Sequence, residues 1–92
     1  MTQHQCQVTL INDAGLHARP AGKIAKLAQT YDAQVVVSCK DKTAQAKSVL
    51  ELILLGAYGG DQLTVTADAP EAEKALSAIQ SLIGNAFQGS IV

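Results

Sequence analysis

The sequence predicts an α+β fold, an open-faced β-sandwich in which three helices cover one face of a four-stranded antiparallel sheet. Segments with alternating apolar residues and amphipathic helical segments follow one another in the order β-α-β-β-α-β-α, which suits helices packed on one sheet face. The chain has 92 residues, enough for one small domain, and it shows no internal repeat or linker. We therefore expect residues 1–92 to form a single domain.

A strand and an amphipathic helix are predicted first. Apolar and polar side chains alternate over residues 5–11, which is typical of a strand with one covered face. Asn12, Asp13 and Gly15 then predict a turn. Apolar residues recur at helical spacing over residues 18–28, and lysines occupy the other side of this predicted helix.

A hairpin and a short helix come next. Residues 34–39 are rich in β-branched side chains, and the polar residues 40–42 suit a tight turn into a returning strand over residues 43–46. Aliphatic residues over 49–55 predict the second helix, and Gly56 is expected to close it.

A strand and a third helix complete the predicted fold. Residues 59–61 form the next expected turn, and apolar residues alternate again over 63–67. Pro70 near the start, acidic residues in the first turn and Gly84 after the end frame the third helix. Residues 85–92 show no periodicity, so we expect a flexible or weakly docked tail there.

Composition excludes several classes of function. The formal net charge is -1 and only 3% of residues are aromatic, which is too little charge and stacking surface for a nucleic-acid platform. The sequence offers no stretch apolar enough to span a bilayer and no secretion signal, so we expect a cytoplasmic monomer without membrane contact.

Composition also argues against metal or cofactor chemistry. The two cysteines and two histidines lack ligand-like spacing, so neither a metal nor another cofactor is expected. Cys6 and Cys39 are interpreted as reduced, half-buried strand residues, and His4 as an ordinary surface residue. A domain this small offers no deep cavity, which argues against a stand-alone enzyme.

Residues 15–21, Gly-Leu-His-Ala-Arg-Pro-Ala, place a histidine where a turn meets a helix. The first backbone N–H groups of a helix lack internal acceptors, so those of Ala18 and Arg19 are expected to bind a phosphoryl group. The Arg19 side chain adds charge-assisted hydrogen bonds, and Pro20 lacks an N–H where the helix needs none. His17 is then the nucleophile, because the helix dipole and Arg19 favour its neutral imidazole. The alternative is a histidine that only caps the helix.

Two segments and the element order resemble HPr, the family of histidine phosphocarriers in the bacterial sugar phosphotransferase system. The segments are residues 15–21 and residues 46–57, Ala-Lys-Ser-Val-Leu-Glu-Leu-Ile-Leu-Leu-Gly-Ala. The resemblance implies that enzyme I, which draws on phosphoenolpyruvate, phosphorylates His17 on Nδ1. It also implies that Arg19 stabilises the phosphoryl group and that an enzyme IIA domain accepts it during sugar uptake.

The second predicted helix carries more large aliphatic residues than a small domain can cover. Every residue over 49–55 except Glu51 is one, so a stripe is expected at the surface; unusually deep burial of the helix and loose burial under the tail are the alternatives. By resemblance, the residues that dock enzyme I and enzyme IIA are Val49, Leu50 and Ile53, with a positive rim of Arg19, Lys23 and Lys26.

Ser48 has two interpretations. With Glu51 it forms a capping box, in which the Ser48 hydroxyl meets the Glu51 N–H and the carboxylate returns to Ser48. By resemblance, it is also the target of a regulatory serine kinase, and a phosphate there would add negative charge beside the docking residues.

The sequence leaves three alternatives to a sugar-uptake carrier. The first is a regulatory binding module that acts through phosphorylated Ser48. The second is one domain of a fused multiphosphoryl transfer protein. The third is a carrier of a nitrogen-regulatory or dihydroxyacetone branch, which would use the same His17 site.

Overall fold

The computed structural model of the chain describes residues 3–11, 15–68 and 70–85. Its elements are β1 (Gln3–Thr9), α1 (Ala18–Ala28), β2 (Val35–Cys39), β3 (Lys42–Gln45), α2 (Val49–Leu54), β4 (Gln62–Asp68) and α3 (Ala72–Gly84). This order confirms the predicted β-α-β-β-α-β-α sequence. Part of the predicted turn before the first helix, residues 12–14, lies outside the described residues, as does the predicted tail beyond residue 85.

The four strands form one antiparallel sheet in the order β1-β4-β2-β3. β4 lies between β1 and β2, so the last strand in the sequence joins the two halves of the sheet. Its alternation places Leu63, Val65 and Ala67 on the buried face, and Val37 lies directly opposite Val65 on β2. This confirms the predicted four-stranded sheet with one covered face.

The hydrophobic core lies between that sheet face and the helices. α3 packs on β1 and β4, α1 packs on α2 and α3, and α2 packs on β3. The largest fully buried side chains are Leu10, Ile24, Val35, Val37, Leu52, Leu63, Val65, Ile79 and Ile83. No polar or charged residue is buried in the described part of the chain, so burial of apolar surface is what holds the layers together.

Some details differ from the sequence-based expectations. Gly84 is the last residue of α3 rather than the first residue after it. The two cysteines are free, and Cys39 is buried, whereas only Cys6 is half-buried as expected. Within the described residues, no helix is long and apolar enough to cross a membrane. The same residues contain no group of three or more His, Cys, Asp or Glu side chains that could hold a metal ion.

Candidate functional site

His17 is the residue at which the backbone enters α1. Its backbone is extended (φ −92°, ψ −169°), and its carbonyl oxygen accepts the Ala21 N–H at 3.0 Å. The imidazole is exposed and makes no capping hydrogen bond. The side chain is therefore not a helix cap, which was the alternative that the sequence had left open.

Two backbone N–H groups lie next to His17 at the start of α1. Ala18 and Arg19 occupy the first helical positions, where an α-helix offers no internal acceptor, and neither N–H is hydrogen-bonded within the described residues. Pro20 follows them, buried and without an N–H. Arg19 is exposed beside these groups. Free N–H donors, a guanidinium group and an accessible imidazole nitrogen thus occur within three consecutive residues.

The two residues before His17 contact Ala57, which lies just after α2 in the sequence. The Leu16 N–H donates to the Ala57 carbonyl oxygen at 3.1 Å. Gly15 has a φ of +76° and is buried against the same residue. A Cβ atom on Gly15 would lie 2.2 Å from the Ala57 oxygen, so this approach requires glycine. The sequence did not predict this contact; glycines at positions 15, 56, 59 and 60 were its only signal.

Four aliphatic residues of α2 face outwards and form what we call the α2 stripe. They are Val49 (38% exposed), Leu50 (65%), Ile53 (37%) and Leu54 (64%). Leu52 and Leu55 are buried on the other side, so the helix is not sunk into the core. Val49, Leu50 and Ile53 were predicted from the sequence and Leu54 was not, because a helix that is aliphatic on nearly every side gives no periodic signal for which side is exposed. That the α2 stripe docks a partner remains a prediction.

Lysines lie on the neighbouring helix. Lys23 and Lys26 are exposed on α1, which packs against α2, and with Arg19 they fall on one face at helical spacing. The α2 stripe therefore lies on a helix that packs against α1, which carries the exposed positive charges of Arg19, Lys23 and Lys26.

Ser48 caps α2, but the predicted capping box is only half present. The Ser48 Oγ accepts the Glu51 N–H at 3.2 Å. The Glu51 carboxylate does not return to Ser48; it accepts the Gln45 N–H at 2.8 Å, at the end of β3. The Ser48 N–H donates instead to the Gln45 carbonyl oxygen. Glu51 thus ties α2 to the hairpin.

Neither thiol lies at this site, and both are hard to ionise. Burial raises the pKa of the Cys6 thiol. Burial also raises the pKa of the Cys39 thiol, and the nearby Asp61 carboxylate raises it further while Lys40 opposes the change. Cys39 Sγ lies 3.9 Å from Asp61 Oδ2. The other histidine, His4, lies on β1, where its Nδ1 is 3.8 Å from a Glu73 carboxylate oxygen.

Comparison with known proteins decides the family. A family model described as "PTS HPr component phosphorylation site" matches residues 4–85, which include His17 and both helices beside it. The chain belongs to this HPr family. It is 40% identical to phosphocarrier protein NPr of Shewanella violacea over 95% of this chain and 96% of that protein. It is 36% identical to phosphocarrier protein HPr of Cupriavidus necator over 90% of this chain and 93% of that one.

Solved HPr structures have the same fold. HPr of Thermoanaerobacter tengcongensis superposes with a TM-score of 0.88 at 28% identity, covering 96% of this chain and 99% of that one. HPr of Bacillus anthracis gives 0.85 at 29% identity, covering 90% and 99%. Membership of the HPr family supports a phosphocarrier role in the phosphotransferase system. An HPr dimer from Thermoanaerobacter tengcongensis is also similar, with a TM-score of 0.74, so the monomeric state of this chain remains a prediction.

Proposed function

We propose that this protein accepts a phosphoryl group from enzyme I on His17 Nδ1 and passes it to an enzyme IIA domain. The observation that supports this is the exposed, uncapped imidazole of His17 beside the backbone N–H groups of Ala18 and Arg19. Phosphoenolpyruvate is the original donor, and the carrier works in the cytoplasm between two larger proteins. The carrier itself completes no reaction on a small substrate.

The chemistry is a reversible phosphoryl transfer to and from Nδ1 of His17. The lone pair of Nδ1 forms a bond to phosphorus while the bond from phosphorus to the donor breaks, and that electron pair returns to the donor. The transferred group carries negative charge. The N–H groups of Ala18 and Arg19 and the guanidinium group of Arg19 then stabilise it. Because the site is exposed, the acceptor approaches from the solvent side and the same steps run in reverse.

Partner docking is assigned to the α2 stripe and the positive rim. Val49, Leu50 and Ile53 supply an apolar centre, and Lys23 and Lys26 lie on the adjacent helix. An apolar centre with a charged edge suits brief encounters, because the charge speeds association with acidic partners and contributes little to how long they stay. Both enzyme I and enzyme IIA would then meet the same surface in turn.

The experiment uses the only two histidines of the chain as a matched pair. Wild-type protein incubated with enzyme I and phosphoenolpyruvate should take up a label that is labile in acid and stable in base. His17→Ala should abolish the label, while His4→Ala should retain it. An unlabelled wild type, or a label that persists in His17→Ala, would contradict the proposal.

A nitrogen-regulatory branch is the second candidate for the route. It is favoured by relatives named NPr, including the protein of Escherichia coli, which is 40% identical over 87% of this chain. Sugar uptake is favoured by relatives named HPr. Phosphorylated protein should be offered enzyme IIA domains of both branches in parallel. Faster transfer to one of them by more than about tenfold, or about 1.4 kcal/mol in barrier, assigns the branch.

A regulatory role for Ser48 has weaker support than the carrier role. The Ser48 hydroxyl is already engaged with the Glu51 N–H, and the Glu51 carboxylate would repel a phosphate added there. A serine kinase acting on Ser48 would leave an acid-stable label. The two labels therefore separate the regulatory module from the carrier in a single assay.

A further inference from the structure

We propose that Asp61 is a positioning residue for His17. Its carboxylate fixes the turn formed by residues 57–61, and that turn holds the loop that ends at His17. No contact between Asp61 and the imidazole is involved. The inference rests on the proposed carrier function, because its consequence is the rate at which His17 takes up a phosphoryl group.

The turn fastens the loop between β1 and α1 at both ends. At the start of the loop, the Gly60 N–H donates to the Leu10 carbonyl oxygen at 2.7 Å, and the Leu10 N–H donates to the Asp61 carbonyl oxygen at 2.8 Å. At its end, the Leu16 N–H donates to the Ala57 carbonyl oxygen at 3.1 Å. The next residue along the chain is His17. Its position therefore follows the position of the turn.

The contact at Gly15 makes the coupling tight. The space that a side chain would occupy there is filled by the Ala57 carbonyl oxygen and by Tyr58 Cα, which would lie 2.2 Å and 2.9 Å from an added Cβ. Backbone packed against backbone cannot adjust by a change of rotamer. A shift of Ala57 must therefore move Gly15 and Leu16 with it.

The Asp61 carboxylate is what fixes the turn. Its Oδ2 accepts the Tyr58 N–H at 3.0 Å, and the Asp61 N–H donates back to the Tyr58 carbonyl oxygen at 3.0 Å. The same carboxylate lies 3.8 Å from Lys40 Nζ and 3.9 Å from Cys39 Sγ, and its side chain is only 22% exposed. Asp61 thus joins the two ends of the turn through its hydrogen bonds with Tyr58, and its contacts with Cys39 and Lys40 connect the turn to the end of β2.

The turn is also the continuation of α2. The Gly56 N–H donates to the Ile53 carbonyl oxygen, and Gly56 leaves the helix with a φ of +71° directly before Ala57. The α2 stripe and His17 are therefore supported by one segment. Asp61 holds that segment in place without forming part of either surface.

The test compares three variants by two measurements. Asp61→Ala removes the acceptor of the Tyr58 N–H, and Asp61→Asn keeps an acceptor oxygen of similar reach. Asp68→Ala is the matched control, because Asp61 directly precedes β4 and Asp68 is the last residue of that strand, at its far end. The first measurement is kcat/KM for phosphorylation by enzyme I. The second is the NMR spectrum: hydrogen exchange of the Leu16 amide and the imidazole signals of His17.

We expect Asp61→Ala to lower kcat/KM by about tenfold, since misplacing a reacting group by about 1 Å costs up to about 10²-fold. Exchange of the Leu16 amide should accelerate, and the His17 signals should shift. Asp61→Asn should restore most of the rate, and Asp68→Ala should leave rate and signals unchanged. If Asp61→Ala does not fold, Asp61→Ser, with its shorter hydroxyl, should show the same defects.

Wild-type rate and wild-type signals of Leu16 and His17 in folded Asp61→Ala or Asp61→Ser would overturn the inference. So would an equal loss of rate in Asp68→Ala, which would indicate a general loss of stability. The measurements distinguish failure of this inference about Asp61 from failure of the proposed carrier function. If wild-type protein takes up no label on His17, the carrier function is wrong, while the NMR comparison still decides whether Asp61 positions the loop.

Discussion

The carbonyl oxygen of Ala57 occupies the space in which a side chain of Gly15 would lie, 2.2 Å from the position of its Cβ. Two residues far apart in the sequence thus share a backbone contact directly beside His17. Since Leu16 also donates its N–H to that oxygen, the residues before the histidine are fixed by packing and by hydrogen bonding together.

Gly15→Ala should therefore lower the free energy of unfolding by more than the strain of a positive φ alone. The left-handed region alone costs a non-glycine residue about 1–2 kcal/mol, and the clash with Ala57 adds to it. We expect a decrease of more than about 2 kcal/mol in the free energy of unfolding, measured by urea denaturation, and slower phosphorylation of His17.

Gly56→Ala is the control for this substitution. Gly56 has a similar φ of +71°, but its Cβ would have only one neighbour within 4 Å, the Leu54 oxygen at 4.0 Å. Gly56→Ala should lower the free energy of unfolding by about 1–2 kcal/mol and leave the rate of His17 phosphorylation unchanged. Equal losses in the two variants would show that the contact with Ala57 is unimportant.

Ser48→Ala should destabilise the protein by about 0.5–2 kcal/mol, because the Glu51 N–H loses its acceptor at the start of α2. Ser77→Ala, on the exposed side of α3, should change stability by less than about 0.5 kcal/mol. Thermal or urea unfolding of both variants measures the difference. An unchanged stability in Ser48→Ala would mean that the cap contributes nothing to folding.

The two raised thiol pKa values predict a loss of stability at alkaline pH. Cys6 and Cys39 both ionise less readily in the folded protein than at the ordinary thiol value of 9.0, Cys6 because of burial and Cys39 because of burial and Asp61. Below that pH the thiols are neutral in both the folded and the unfolded protein, so they contribute no pH dependence to the free energy of unfolding. As the pH rises past about 9, the unfolded chain loses thiol protons first and the free energy of unfolding falls.

Urea unfolding between about pH 7 and about pH 10 measures this fall. The double variant Cys6→Ser and Cys39→Ala keeps every other titrating group and should show a shallower decrease. The same slope in both proteins would mean that the thiols do not contribute.

Local patterns were sufficient for most of the fold. Val35 and Val37 alternate with half-buried neighbours as a strand requires, and the spacing of Ile24 and Ala28 placed the covered face of α1. Ser48 was recognised as a cap because its partner, Glu51, is three residues away. Each of these features depends on residues within one or two turns of helix or one strand, where spacing alone decides the geometry.

The hydrogen bonds and backbone contacts that the sequence did not predict join different elements of the fold. The carboxylate of Glu51 reaches Gln45 only because β3 ends beside α2. The contact between Gly15 and Ala57, and the role of Asp61 in the turn, depend on how the β1–α1 loop meets the residues after α2. Periodicity describes a single element, so contacts between loops appear only once the elements are packed.

Leu50 and Leu52 form a matched pair for the docking role of α2. Leu50 is 65% exposed and Leu52 is fully buried, although only one residue separates them. Leu52→Ala should destabilise the protein by about 2–5 kcal/mol, because it leaves a cavity in the core. Leu50→Ala should leave the free energy of unfolding within about 0.5 kcal/mol of wild type.

For binding to enzyme I, Leu50→Ala should have the large effect and Leu52→Ala the small one. Leu50→Ala should raise the Kd by about tenfold, or about 1.4 kcal/mol, if the side chain fills a pocket at the centre of the interface. Leu52→Ala should bind nearly as wild type at a temperature where it remains folded. Titration calorimetry with enzyme I and with an enzyme IIA domain measures both. An unchanged Kd for Leu50→Ala with both partners would place the docking surface elsewhere on the protein, while His17 would keep its role as the phosphorylated residue.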